Sequence, residues 1–175
     1  IPRPETEILI DHIKNNFLNL ENVLDLGTGS GCIAIEISKI FDSATIFGSD
    51  ICEKALKVAK KNNNQSNNRV NFIKSNWFSD IEGQFDLIVS NPPYIPEGTK
   101  LEAGTLFEPK VALFSEETGL KDLKKIISEA INYLKVDGTL ILEHGIGQSS
   151  ELSSHMKKIG YKNIGTLNDL KDINR

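Results

Sequence analysis

The stretch Val23-Leu24-Asp25-Leu26-Gly27-Thr28-Gly29-Ser30-Gly31 decides the fold class of this 175-residue chain. Its first four residues have the composition of a short buried strand, and the helical pattern that begins at Cys32 carries an apolar stripe. Glycines between a strand and a helix permit tight turns and let the backbone approach an extended ligand closely. The stretch therefore predicts a strand, a loop and a helix that together bind a nucleotide-like cofactor.

The strand-then-helix pattern continues along the chain. Further strands are predicted at 45–49, 70–74, 85–90, 139–143 and 163–167, and helices at 5–17, 32–40, 53–62, 120–134 and 148–159. Strands that alternate with helices of about ten residues predict an α/β fold with a doubly wound, mostly parallel sheet and helices on both faces. The stretch 95–118 interrupts the pattern, and we expect a functional loop there because such long irregular segments are uncommon in compact domains.

Composition and charge restrict the function classes. Lys and Arg number 20 against 24 Asp and Glu, which gives a net charge of −4 without a basic run. Because duplex DNA binding usually needs a positive stripe, we expect no direct duplex DNA partner.

Cys32 and Cys52 have neither a CxxC nor a zinc spacing, so no metal site is predicted. Apolar runs fall short of the ~20 residues of a membrane span, and we expect a cytoplasmic protein with no membrane partner.

A second candidate binding residue follows the second strand. Asp50 stands where an acceptor can bind two ribose hydroxyls of a nucleotide-like ligand. The dinucleotide fingerprint requires Gly or Ala at the position that Cys32 occupies, which disfavours NAD. The structural alternative is a glycine turn followed by a helix-capping aspartate.

The segment Asn91-Pro92-Pro93-Tyr94 follows the fourth predicted strand and is called the NPPY segment below. Two consecutive prolines lack backbone donors and fix φ, so the segment is predicted to form a rigid projecting loop. The Asn91 side-chain oxygen and the Pro92 carbonyl can accept both hydrogens of a planar NH2 group, while Tyr94 packs against its plane. The alternative is a proline turn with a buried tyrosine.

In combination, these motifs resemble the class I S-adenosylmethionine-dependent methyltransferases that modify amino or amide nitrogens. Four further segments are similar to the release-factor glutamine methyltransferase family: IPRPETE at 1–7, SNWF at 75–78, FEP at 107–109 and LEHG at 142–145. The resemblance implies a Rossmann-like fold and methyl transfer from S-adenosyl-L-methionine. The acceptor would be the side-chain amide nitrogen of the glutamine in the Gly-Gly-Gln motif of peptide-chain release factors, and S-adenosyl-L-homocysteine would be the second product.

The resemblance also implies roles for individual residues. The cofactor-binding set is Gly27, Thr28, Gly29, Ser30, Gly31, Asp50, Trp77 and Asn91, with Trp77 against the adenine. The substrate-binding set is Asn91, Pro92, Pro93 and Tyr94, of which Asn91, Pro92 and Tyr94 form the catalytic set. No metal is implied. We expect one methyltransferase domain over residues 1–175, without the family's N-terminal helical domain and last strand.

Three other functions stay open at this point. A ribosomal-protein glutamine methyltransferase would use the same chemistry, although the PETE segment at 4–7 favours release factors. A DNA adenine methyltransferase would add a basic surface and a recognition domain. A non-catalytic cofactor-binding module would tolerate loss of Asn91, which is present. We expect His144 and Glu143 to order a loop rather than to act as bases.

Overall fold

The computed structural model describes residues 4–65, 69–99 and 113–168. The helices are α1 (Pro4–Asn16), α2 (Cys32–Ile40), α3 (Glu53–Asn64), α4 (Glu116–Gly119), α5 (Lys121–Ala130) and α6 (Ser149–Ile159). The strands are β1 (Asn22–Leu26), β2 (Thr45–Asp50), β3 (Val70–Lys74), β4 (Phe85–Ser90), β5 (Ile95–Pro96), β6 (Phe114–Ser115) and β7 (Leu134–Leu142). Within the described ranges, none of the helices combines the length and apolar character that a membrane span requires.

The chain divides into two compact units. The sheet unit comprises Ile1–Ser90 and Asn132–Ile141, and the second unit comprises Asn91–Ile131 and Leu142–Arg175. The sheet unit contains the five-stranded sheet, whose strands lie in the order β3-β2-β1-β4-β7. Strand β1 pairs in parallel with β2 on one side and β4 on the other, and β2 pairs in parallel with β3.

The strand order reverses at β1, which creates a switch point between β1 and β4. In open α/β sheets, ligands bind at such a point, beyond the carboxyl ends of the strands. The Ser90 hydroxyl donates to the Leu26 carbonyl at 2.5 Å and joins the ends of the two strands. The loop of residues 27–31, which follows β1, therefore starts at the edge where this class of fold binds its ligands.

The central strands form because their side chains are buried on both faces of the sheet. Val23 and Leu24 on β1 point to opposite faces, and neither is exposed to solvent. A parallel strand covered on both faces is expected to be apolar throughout rather than alternating. One cluster of buried side chains joins α1, α2 and the strands: Leu9, Ile13, Leu20, Val23, Ile33, Ala34, Ile35, Ile37, Phe41, Ile46, Val70, Leu87 and Val89.

The second unit contains α5 and α6 packed against each other. Leu123, Ile126 and Ile127 of α5 are fully buried, as is most of Leu152 on α6. The Tyr161 hydroxyl donates to the Ile127 carbonyl at 2.9 Å. Burial raises the pKa of this hydroxyl above its ordinary value. The unit also contains a short parallel ladder in which β5 pairs with β6.

Two predicted elements differ from the structure. The helix predicted at 120–134 ends at Ala130, and Leu134 instead begins β7. Asp137 has a φ of 63° inside β7, so the Asp137-Gly138 pair distorts a strand rather than separating a helix from a strand. The strand predicted at 163–167 is wrong, because the structure has no strand over these residues. Asn163, the first of them, has a φ of 53°, a left-handed conformation that lies outside the extended region.

The stretch 95–118 also contains more regular structure than predicted. Its described residues include β5, β6 and α4, while residues 100–112 lie outside the described ranges. The segments at 1–3 and 107–109, which contributed to the family resemblance, also lie outside them. The expectation that residues 1–175 form one methyltransferase domain stays a prediction.

Candidate active site

The glycine loop, residues 27–31, is tied to the carboxyl end of β2 by hydrogen bonds. The N–H groups of Gly27 and Thr28 both donate to the Ser49 carbonyl at 2.8 Å. The Gly29 N–H donates to Oδ2 of Asp50 at 2.9 Å. Gly29 has a φ of 56°, and a Cβ atom there would meet none of the described atoms within 4 Å. Backbone hydrogen bonds therefore hold the loop, and the described residues leave open space in front of Gly29.

Asp50 bonds backbone N–H groups through both of its carboxylate oxygens. Oδ2 accepts from Gly29, and Oδ1 accepts from the N–H of Cys52 at 2.7 Å, just before α3. The carboxylate thus connects the glycine loop to the start of the next helix. An ionised carboxylate has about four acceptor positions, so these two bonds leave it capacity for ligand hydroxyls.

Trp77 lies over the start of the glycine loop. A Cβ atom on Gly27 would lie 3.4 Å from Cζ3 of the Trp77 ring. Trp77 has a φ of 52°, a conformation that costs a bulky residue free energy and that clusters at functional sites. The Ser75 hydroxyl stabilises this turn, since it donates to the Trp77 carbonyl at 2.7 Å and accepts from the N–H of Asp80 at 3.0 Å. The sheet unit therefore brings Gly27 and Trp77 together.

The other three loop residues make structural contacts. Thr28 is buried and donates its hydroxyl to Oδ2 of Asp25 at 2.6 Å. The Ser30 carbonyl accepts from the Asn62 side chain at 2.9 Å. Gly31 has a φ of 84° at the start of α2, and a Cβ atom there would lie 3.1 Å from Cβ of Ala59. These contacts shape the loop from within and from α3.

Asp25 is a buried acid that the sequence reasoning did not select as a site residue. Only 1% of it is exposed, and burial raises its pKa from 3.8 to about 6. Hydrogen bonds from Thr28 and the Ala34 N–H oppose this rise, while the charge of Asp50 adds to it. Oδ1 of Asp25 is buried without a partner among the described residues. The available sequence signal was an acid within the apolar run 23–26.

In the second unit, one carboxylate connects both ends of the NPPY segment. Asn91 Nδ2 donates to Oε2 of Glu143 at 2.9 Å, and the Tyr94 hydroxyl donates to Oε1 of Glu143 at 2.9 Å. Pro92 between them is buried and Pro93 is half-buried. The Asn91 carboxamide is thus held by its NH2 group, and no hydrogen bond within the described ranges engages Asn91 Oδ1.

The backbone of Tyr94 is held by a second set of contacts that sequence reasoning missed. Nε2 of Gln148 donates to the carbonyls of Tyr94 and Thr118 at 3.1 and 3.2 Å, and its Oε1 accepts from the Gly145 N–H at 2.8 Å. A Cβ atom on Gly119 would lie 2.1 Å from the Tyr94 carbonyl oxygen. Only glycine permits this close approach, and no sequence motif indicates that Gly119 contacts the Tyr94 backbone.

His144 is buried next to Glu143, and its Nδ1 lies 2.9 Å from the Gly145 carbonyl oxygen. This contact is local, between neighbouring residues of the loop that follows β7. Among the described residues, no group of three or more His, Cys, Asp or Glu side chains could hold a metal ion.

The parallel sheet with a switch point at β1, the glycine loop and the acid after β2 define the Rossmann-like fold of class I methyltransferases. Solved structures support this assignment of the fold. A ribosomal protein L11 methylase from Lactobacillus delbrueckii subsp. bulgaricus matches with a TM-score of 0.74 at 20% identity, over 97% of this chain and 76% of that chain. The predicted fold class is therefore confirmed.

The family model of the methyltransferase small domain matches residues 4–107, and the chain belongs to this family. Its curated relatives include proteins named release factor glutamine methyltransferase. The one from Buchnera aphidicola subsp. Baizongia pistaciae is 39% identical over 100% of this chain and 65% of its own length. The one from Buchnera aphidicola subsp. Schizaphis graminum is 42% identical over 97% of this chain and 63% of its own length.

These matches confirm the resemblance to the release-factor glutamine methyltransferase family. The chain spans slightly less than two thirds of the length of these two relatives.

Proposed function

We propose that the protein containing this chain transfers a methyl group from S-adenosylmethionine to the side-chain amide nitrogen of a glutamine. Its substrate would be the glutamine of the Gly-Gly-Gln motif in peptide-chain release factors. One observation carries the proposal: Asn91 is held by its NH2 group, and among the described residues its side-chain oxygen has no hydrogen-bond donor and can accept one from a substrate. The names of the curated relatives support a glutamine of a release factor as the acceptor.

The residues of the sheet unit fit S-adenosylmethionine. Open space in front of Gly29 suits an extended ligand, and the Asp50 carboxylate is a suitable acceptor for ribose hydroxyls. The Trp77 ring lies beside Gly27 and is an aromatic group of the kind that can pack against an adenine. We propose that these residues bind the cofactor, with Thr28, Ser30 and Gly31 completing the loop. When bound, S-adenosylmethionine supplies an electrophilic methyl group on a sulfonium.

The residues of the NPPY segment are suited to an amide nitrogen. An amide is a poor nucleophile because its nitrogen lone pair is shared with the carbonyl, so a site must orient it and favour its less conjugated form. Asn91 Oδ1 and the Pro92 carbonyl would accept the two hydrogens of the substrate NH2 group. Both acceptors would also stabilise positive charge that develops on the nitrogen. Pro93 and Tyr94 would complete the pocket, with the Tyr94 ring against the amide plane.

Partner and location follow from this substrate. Release factors act on ribosomes, so the proposal puts the reaction in the cytoplasm. The net charge of −4 favours a protein substrate over duplex DNA.

The test uses the protein at its full natural length with labelled S-adenosylmethionine. Four acceptors are compared: a release factor, its variant with the Gly-Gly-Gln glutamine replaced by alanine, a mixture of ribosomal proteins, and adenine-containing DNA. We expect label in the release factor and none in its variant. Label in ribosomal proteins or DNA, with none in the release factor, would overturn the proposed substrate.

A further inference from the structure

We propose that Glu143 is a positioning residue that sets the orientation of the Asn91 carboxamide and the Tyr94 hydroxyl. The inference rests on the proposed function, in which Asn91 Oδ1 accepts a hydrogen bond from a substrate carboxamide. Sequence reasoning assigned Glu143 only to loop order.

The contacts of Glu143 carry the inference. Glu143 follows directly on β7, is 8% exposed, and receives Asn91 Nδ2 on one oxygen and the Tyr94 hydroxyl on the other, both at 2.9 Å. A single carboxylate therefore spans the first and last residues of the NPPY segment. Both donors are side-chain groups, so the contact fixes functional atoms rather than a turn of backbone.

Because Glu143 is a carboxylate, its hydrogen bond with the Asn91 side chain favours one orientation of that carboxamide. An ionised carboxylate only accepts hydrogen bonds, whereas the two ends of a carboxamide differ, one donating and the other accepting. Rotating the Asn91 carboxamide by half a turn would bring Oδ1 against Oε2 of Glu143. Two acceptors would then face each other in a buried setting, an unfavourable arrangement. Glu143 thus keeps Nδ2 engaged and leaves Oδ1 to accept.

The NPPY segment needs such an external anchor because of its prolines. Pro92 and Pro93 have no backbone N–H, so the segment cannot be held through its own central amides. Among the contacts of the described residues, its anchors include the two side chains on Glu143 and the Tyr94 carbonyl on Gln148. The last of these holds the backbone, which leaves the orientation of the Asn91 carboxamide to Glu143.

The variant Glu143→Gln separates orientation from packing. Glutamine has nearly the same size, but it offers one acceptor and one NH2 donor in place of two acceptors. It can accept from Asn91 Nδ2 as before, or it can donate to Asn91 Oδ1 and so occupy the atom that the substrate needs. Both arrangements keep a hydrogen bond to the Asn91 side chain, so we expect the fold to be retained while the orientation of the carboxamide becomes mixed.

The kinetic test compares Glu143→Gln with Glu151→Gln in the full-length protein, with a release factor as substrate. Glu151 is an exposed carboxylate on α6 that pairs with Lys124 at 2.7 Å, which makes it a matched control. We expect Glu143→Gln to lower kcat by about 10- to 100-fold, by analogy with the loss of a partner that orients a metal-binding side chain. The affinity for S-adenosylmethionine should stay within about twofold, and Glu151→Gln should change neither value.

A double-mutant cycle separates positioning from a general loss of structure. In an Asn91→Ala background, Glu143→Gln should lower kcat much less than it does in the wild type, because the group that it orients is gone. An equal loss in both backgrounds would overturn the inference, and so would a kcat within about threefold of the wild type for Glu143→Gln.

A second readout does not depend on the substrate. The side-chain NH2 signals of Asn91, assigned by their loss in Asn91→Ala, can be followed by 15N NMR. We expect their protons in the wild type to exchange at least about tenfold more slowly than those of the exposed Asn76. Glu143→Gln should change the Asn91 shifts, and Glu151→Gln should not. Rapid exchange at Asn91 in the wild type would overturn the inference even if Glu143→Gln did not fold.

The two proposals can fail separately. Absence of label in the release factor with protected Asn91 signals would reject the substrate and support the positioning role of Glu143. A methylated release factor together with rapidly exchanging Asn91 signals would support the proposed substrate and reject the positioning role of Glu143.

Discussion

Carboxylates organise both candidate binding regions, but they hold different kinds of donor. In the sheet unit, Asp50 accepts from the backbone N–H groups of Gly29 in the glycine loop and Cys52 just before α3. In the second unit, Glu143 accepts from the side chains of Asn91 and Tyr94. The first arrangement shapes a backbone, and the second orients functional groups.

The residue types account for this difference. A glycine loop presents backbone N–H groups that need partners, and an acid nearby supplies them. A segment with two prolines has few N–H groups to bind, so its anchors must be side chains. Changes in the sheet unit should therefore act mainly on cofactor affinity and stability, and changes in the second unit mainly on turnover.

The largest expected effect is on turnover. Asn91→Ala removes the acceptor Oδ1, and we expect kcat to fall on the order of 100-fold or more, by analogy with the deletion of one oxyanion-hole donor. Steady-state kinetics with a release factor would measure kcat, and calorimetry would measure S-adenosylmethionine affinity, which should weaken only modestly. Unchanged turnover would break the comparison and reject the proposal that Asn91 Oδ1 accepts a hydrogen bond from the substrate amide.

The next effect concerns the dependence of stability on pH. Asp25 has a pKa of about 6 in the folded protein against 3.8 ordinarily, so the folded state binds its proton more tightly. The free energy of unfolding should therefore fall as pH rises from about 4 to about 6, by roughly 2–3 kcal/mol from this group. Asp25→Asn should remove that part of the slope in denaturant titrations.

A matched control for this experiment is Asp11→Asn on the exposed side of α1. If Asp25→Asn and the control gave the same pH slope as the wild type, the buried acid would not be titrating as described. If only Asp25→Asn lost the pH dependence of the free energy of unfolding, the result would show that the buried acid of the sheet unit affects stability and that the exposed Asp11 does not.

The smallest expected effect is on cofactor affinity. Asp50→Ala should weaken S-adenosylmethionine binding by about 1–3 kcal/mol, the range for losing a charged acceptor. Part of this loss would arise from the Gly29 N–H, which would lose the partner that holds the glycine loop. Calorimetry would measure the affinity, with Asp11→Ala as control, and kcat at saturating cofactor should change less than in Asn91→Ala. Equal affinity in Asp50→Ala and the wild type would contradict this assignment.

Much of the fold could be predicted because local signals and tertiary packing agree. The structure starts and ends α2 at the predicted residues, Cys32 and Ile40. The failures come where a local signal had two meanings. Asp137-Gly138 is a typical turn pair, yet it lies inside β7. The apolar residues near 163–167 do not form a strand, and the range begins with Asn163 in a left-handed conformation.

The candidate site also has a part that could be predicted from the sequence and a part that could not. The glycine loop, Asp50, Trp77 and the NPPY segment could be selected because each is a short motif at a recognisable position. The partners of these motifs could not. Glu143 lies 52 residues from Asn91 in the chain, and the contact between Gly119 and the Tyr94 carbonyl depends on how separate loops pack.

The sequence by itself determined which groups are available: a glycine loop after a buried strand, an acid after the second strand, and an amide beside two prolines. Its periodicity also determined the fold class, because strand and helix periods are properties of neighbouring residues. Only the tertiary structure decided which atom each group presents. Burial raised the pKa of Asp25, and Glu143 selected one orientation of Asn91, because desolvation and hydrogen-bond direction depend on residues that are distant in the chain but adjacent in space.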